Sequence, residues 1–181
     1  HQVRNAQLAP LAVLELKHRE APSKISREPI GRGLEEVVRL AGLRGRAEVL
    51  SRNPLVIADV AHNPDGVRTF VRAARQLAPG SRGVVVFGVL RDKAYRAMIG
   101  ALAPIARKVV AVEPRTSRAL PLEFLLGELH DASIPALGAS SVSAGVILAR
   151  DAARPGEPIF ITGSHYVVGE AMAMFREMPN T

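Results

Sequence analysis

From residue 46 onward the chain alternates short apolar runs with stretches whose apolar residues recur at helical spacing. Ala47 to Leu50 and Leu55 to Val60 read as strands, and a helix follows in which Val67, Phe70, Val71, Ala74 and Leu77 form one stripe. Val84 to Phe87 is a continuous β-branched and aromatic run, the pattern of a strand buried on both faces. Beyond the loop 88–93, a helix aligns Tyr95, Met98, Ile99 and Leu102; Val109 to Val112 is another strand, closed by Glu113 and Pro114. Leu122, Leu125, Leu126 and Leu129 share a helical face, and Ala139 to Ala153 reads as a further helix. Ile159 to Thr162 is the last strand, and a final helix turns Val168, Ala171, Met172 and Phe175 inward. Strands alternating with helices predict a doubly wound, Rossmann-like α/β domain: a mostly parallel sheet with helices on both faces.

Residues 1–45 follow a different pattern. Val3, Ala6, Leu8, Leu11, Ala12, Leu14 and Leu16 predict one helix, with Pro10 kinking it or delaying its start. After a polar linker, Ser26 reads as an N-cap, and Ile30, Leu34, Val37 and Val38 fall on one face of a second helix weakened by Gly31 and Gly33. Two helices without a sheet of their own read as the tail of a preceding domain, giving a boundary between 1–45 and 46–181. The opening residue, His1 in place of Met, points the same way, to a processed product or a piece of a longer protein.

The sharpest stretch is Asn53 to Gly66, in which the apolar run Leu55 to Ile57 ends at Asp59 and turns at once into a helix. Asn63 is a good N-cap, Pro64 suits the first helical position, and Asp65 complements the positive helix end. This fixes Asp59 and His62 at the carboxyl end of a strand, where open α/β sheets bind ligands. Taken alone, an acidic strand end and a capping Asn are also ordinary turn chemistry. Arg91 to Lys93 and Ser164 stand at two further strand ends, and right-handed crossovers bring such ends to one edge of the sheet. A carboxylate, an imidazole, an ammonium and a hydroxyl on one rim suit a nucleotide or an amino acid without specifying a reaction. Ser164 serves equally as a plain helix cap.

Charge adds a bias toward anions. The formal net charge is +7, and the basic residues are mostly arginine, the lysines being Lys17, Lys24, Lys93 and Lys108. A solvated arginine-rich surface and an anion-binding role fit this equally well. With two Tyr, five Phe, no Trp and dispersed basic residues, the stacking platforms of nucleic-acid binders are missing, so no nucleic-acid partner is expected. Absence of Cys excludes disulfides and thiolate metal sites and suits a reducing cytoplasmic setting. The longest apolar run, Val84 to Leu90, is far too short to span a membrane, so no membrane partner is expected either. No G-x-x-x-x-G-K-[ST] phosphate loop and no G-x-G-x-x-G fingerprint occur. His1, His18, His62, His130 and His165 show no metal-binding spacing, and no G-x-S-x-G elbow supports a hydrolase built on Ser164, His62 and Asp59.

Three segments together carry a resemblance: Asp59-Val-Ala-His62-Asn63-Pro64-Asp65-Gly66, Phe87-Gly-Val-Leu-Arg-Asp92-Lys93, and Thr162-Gly163-Ser164-His-Tyr-Val-Val-Gly169. They resemble the carboxy-terminal domain of the folylpolyglutamate synthase / dihydrofolate synthase family, a branch of the Mur-type ligases. The opening His1-Gln2-x-x-Asn5-Ala6 resembles the last helices of that family's central ATP-binding domain, and Gly45-Arg46-x-Glu48 its interdomain junction. Ala94 departs from the acidic residue frequent after the Asp-Lys pair, and the D-N-P arginine motif of the diaminopimelate-adding ligase is missing.

The resemblance implies ATP-dependent amide formation. A folate or dihydropteroate carboxylate takes the γ-phosphoryl group of ATP, and the amine of L-glutamate then displaces phosphate. Asn5, Arg46 and Asp59 would contact ATP; His62, Ser164 and Lys93 would lie on the glutamate side. The magnesium ligands and the phosphate loop would belong to the amino-terminal and central domains, which leaves this chain inactive as a ligase by itself. Two other readings stay open: a stand-alone, non-catalytic α/β module that binds a nucleotide or other ligand, and a different Mur-type amide ligase.

Overall fold

The computed structural model describes residues 8, 10–12, 15, 27–36 and 40–177. The chain divides into two compact units, His1–Arg44 and Gly45–Thr181. In the first, Leu8, Pro10, Leu11, Ala12 and Glu15 are helical, and Arg27–Glu35 forms helix α1. Asn5, Ser26, Val37 and Val38 lie outside the described residues.

The second unit is a six-stranded sheet: β1 (Glu48–Arg52), β2 (Leu55–Ala58), β3 (Gly83–Phe87), β4 (Ala106–Val112), β5 (Ala136–Ala139) and β6 (Ile159–Thr162). In space the order is β1-β2-β6-β3-β4-β5. β1 is antiparallel to β2, and every other neighbouring pair is parallel. Helices α2 (Pro64–Leu77), α3 (Tyr95–Leu102) and α4 (Leu122–Asp131) cover one face; α5 (Val142–Ala152) and α6 (His165–Glu177) cover the other.

Strand alternation explains the two layers. Val85 and Phe87 of β3 pack with Phe70, Met98, Ile99 and Leu125, while Val84 and Val86 pack with Val142, Val146, Val167 and Ala171. A strand apolar on both sides is thereby dry on both sides, each fully buried Val contributing on the order of 1.5 kcal/mol or more. The chain runs outward from β3 through β4 to β5, then returns on the opposite face to insert β6 between β2 and β3. That insertion sets three parallel carboxyl ends side by side: β2, β6 and β3.

Three details correct the expectations. Residues 136–139 form edge strand β5, so the helix expected over 139–153 begins only at Val142, where Ser141 caps it through the Ala144 amide at 3.1 Å. Ala-Leu-Gly-Ala carries no β-branched residue, so nothing local announces a strand; pairing with β4 creates it. β2 ends at Ala58, which places Asp59 and Val60 in the connection and not in the strand. Leu77 ends its helix 44% exposed, although it lies on the apolar stripe.

Candidate functional site

Three loops meet where β2, β6 and β3 end. The β2 loop is fastened by its cap: Asn63 is extended and its side chain accepts from the Gly66 amide at 2.7 Å, with Pro64 opening α2. The β6 loop is tied to it by the Gly163 amide donating to the Ala61 carbonyl at 3.1 Å. Gly163 has φ +111°, and a Cβ there would stand 2.5 Å from the Gly88 carbonyl oxygen of the β3 loop. A Cβ on Gly88 would in turn meet the Val112 carbonyl at 2.5 Å. Only glycine allows these backbones to touch, and their contact draws the three loops together.

A fourth piece folds over them. The Gly45 carbonyl accepts from the Val60 amide at 2.9 Å, and the Ala47 amide donates to Asp59 Oδ2 at 2.8 Å. Ala47 holds φ 47°, a strained value for a residue with a Cβ. Arg46, between two residues in the left-handed region, is exposed above the end of β2.

Asp59 is buried, at 7% exposure. Burial raises its carboxyl above the ordinary value, opposed by the Ala47 amide, Arg46, the Ala61 amide and His62. His62 Nδ1 donates to the Val60 carbonyl at 3.0 Å, which fixes that nitrogen as the protonated one in the neutral ring. The His62 ring faces His165, centroids 4.8 Å apart and tilted by 41°. Burial lowers the His165 pKa, and His62, Arg46 and Lys93 lower it further. Lys93 reaches Asp92 at 3.3 Å, while Asp92 also takes a 2.8 Å bond from Arg118. Ser164 is 1% exposed, and its Oγ accepts from the Val167 amide at 3.2 Å, capping α6.

Arg46, Asp59, His62 and Lys93 therefore act on a common neighbourhood, and Ser164 caps the helix that carries His165 into it. Asn5 lies outside the described residues. His165 was not singled out from sequence, because its place directly after a cap marks a helix start and nothing more; its pairing with His62 needed the loops to meet. Thr162 was also missed: its hydroxyl is fully buried at the end of β6 with no hydrogen-bond partner. Among the described residues, no three His, Cys, Asp or Glu side chains converge as a metal site, and no helix is long and apolar enough to cross a membrane.

A doubly wound α/β domain with polar groups gathered where strand order reverses is built to hold a ligand at that rim. Comparison with known proteins gives the class a family. Residues 45–165 match the Mur ligase, glutamate ligase domain, and the chain belongs to the Mur ligase family. The dihydrofolate synthase/folylpolyglutamate synthase of Bacillus subtilis is 33% identical over 172 residues, 94% of this chain. The chain spans 38% of that relative's length. A crystal structure of the bifunctional folylpolyglutamate synthase/dihydrofolate synthase from Yersinia pestis, complexed with AMPPNP and Mn ion, superposes with a TM-score of 0.72 at 28% identity. The match covers 92% of this chain and 37% of that one. Another bifunctional folylpolyglutamate synthase/dihydrofolate synthase structure, with Mn, AMPPNP and L-glutamate bound, gives 0.75 at 28% identity, covering 92% and 38%.

Proposed function

We propose that this chain is the carboxy-terminal part of a cytoplasmic, ATP-dependent ligase that joins glutamate to folate or dihydropteroate through an acyl phosphate. One observation carries the reading: Arg46, Asp59 with His62, and Lys93 come from three separate segments yet act on one rim, in a domain homologous to glutamate ligases. Arg46 presents a fixed cationic fork to the phosphates of ATP. Asp59, held by the Ala47 amide, accepts from the ribose hydroxyls. His62 and Lys93 face the glutamate side. Ser164 Oγ keeps a proton to donate there while its lone pair caps α6. Asn5 is assigned to ATP by motif alone.

The residues described do not fit a magnesium site, so no step is assigned to a metal held by this domain. Positioning a transferring phosphoryl group needs a phosphate loop and metal ligands, which the reading places in the remaining domains of the ligase. The rim's contribution is then to orient ATP and the amine, while the acyl phosphate forms elsewhere in the cleft.

The test is amide synthesis by the isolated chain beside the complete enzyme, with ATP, L-glutamate and either dihydropteroate or a folate. The isolated chain is expected to show no turnover. Turnover within about tenfold of the complete enzyme, a difference of about 1.4 kcal/mol in barrier, contradicts the division of labour.

A further inference from the structure

We infer that His62 and His165 together form an anion-binding subsite, His165 being its second contact. The inference extends the proposed function, whose incoming amino acid carries such an anion, but the subsite stands on the geometry of the rim.

The two imidazoles approach from different elements, one from the β2 loop and one from the first turn of α6, with centroids 4.8 Å apart. His62 spends Nδ1–H on the Val60 carbonyl, which leaves its Nε2 edge as the one able to meet a ligand. Arg46 and Lys93 act on the same place. The nearby carboxylates are already engaged: Asp59 by the Ala47 amide, Glu48 by the Gly45 amide, Asp92 by Arg118 and Lys93. The charge left over is basic. A divalent cation would meet only two imidazoles and would be repelled by Arg46 and Lys93, whereas a carboxylate or phosphate offers two oxygens to two N–H donors.

With no anion present, burial disfavours charge on His165, and His62, Arg46 and Lys93 disfavour it further. An anion between them reverses that sign, because a nearby negative charge favours the protonated ring. Binding is thus coupled to proton uptake at His165, with Arg46 and Lys93 the charges that act on it and Asp92 paired to Lys93 and Arg118. In the proposed ligase this makes His165 a further contact for a carboxylate of the incoming amino acid.

Nitrogen-detected histidine spectra of the chain, titrated with L-glutamate, L-glutaminamide and sodium phosphate, test this. Both rings are expected to shift saturably with glutamate or phosphate, with affinity falling as rising pH removes the proton from His165. L-Glutaminamide, which carries no carboxylate, is expected to bind at least about fivefold more weakly than the better anion. His165→Leu should weaken anion binding by at least about fivefold, with dispersed amide spectra confirming the fold, and His165→Lys should restore it. Phosphate binding more tightly than glutamate supports the subsite and counts against the glutamate assignment above. No saturable shift with either anion, equal binding of L-glutaminamide, or unchanged anion affinity in His165→Leu overturns the subsite.

Discussion

The two edges of this sheet treat charge in opposite ways. At the amino-terminal edge, Arg107 at the start of β4 grips Glu157, just ahead of β6, through two nitrogens, one at 2.7 Å, and also donates to the Ala152 carbonyl at 2.8 Å. The Arg154 amide completes the Glu157 carboxylate at 2.8 Å. Both charges are matched and their hydrogen bonds are made within the protein. At the carboxyl-terminal edge, Asp59 is buried at a cost, two imidazoles sit 4.8 Å apart, and Arg46 and Lys93 disfavour charge on His165. One edge is finished by folding; the other is the edge where the proposed function puts a ligand. A titratable group buried at a cost in a cleft is a candidate functional group, whereas a matched ion pair is explained by structure, and that separates these two clusters.

The sharpest break in the comparison should come at the finished edge. Glu157→Ala leaves Arg107 partly buried without its partner, and a loss of about 2–3 kcal/mol in unfolding free energy is expected from denaturant melts. The Arg107 side-chain bond holds the Glu157 carboxyl below its ordinary value, with the Arg154 amide and charge assisting. Its stabilisation is therefore complete above the unfolded glutamate value of about 4.3 and is lost as pH falls through the folded value. Melts in acid should show a shallower decline in Glu157→Gln than in the parent chain. A smaller effect is expected at the open edge: Ser164→Ala removes the α6 cap and should cost about 1 kcal/mol by the same melts, Val167 losing its side-chain acceptor.

How much of this was legible in the sequence follows the range of the forces involved. Val84 to Phe87 declared a two-sided buried strand, and Asn63-Pro64 declared a helix start, because both signals lie within a few residues. β5 stayed hidden because its four residues are made a strand by β4, and Leu77 looked buried because a stripe does not say where the neighbouring layer ends. The rim was legible in part. Strand-end polarity pointed to Asp59, His62 and Ser164, and the family resemblance to Arg46. The His62–His165 contact depends on Gly163 and Gly88 letting three loops touch, a relation between positions far apart in the chain.

Asp59 measures the central claim most directly, since its burial costs stability in the very place where function is proposed. Its raised pKa means the cost appears as pH rises from the unfolded aspartate value through the folded one, so Asp59→Asn, whose amide oxygen still accepts from Ala47, relieves it. In the complete enzyme, kcat/KM for ATP is the quantity to compare between Asp59→Asn and Glu157→Gln. The expected result is a loss of at least about a hundredfold for Asp59→Asn with the melting temperature at pH 7 unchanged or raised, and near-parental kcat/KM for Glu157→Gln. Parental kcat/KM in Asp59→Asn, or a loss as large in Glu157→Gln, contradicts the assignment of nucleotide binding to this rim.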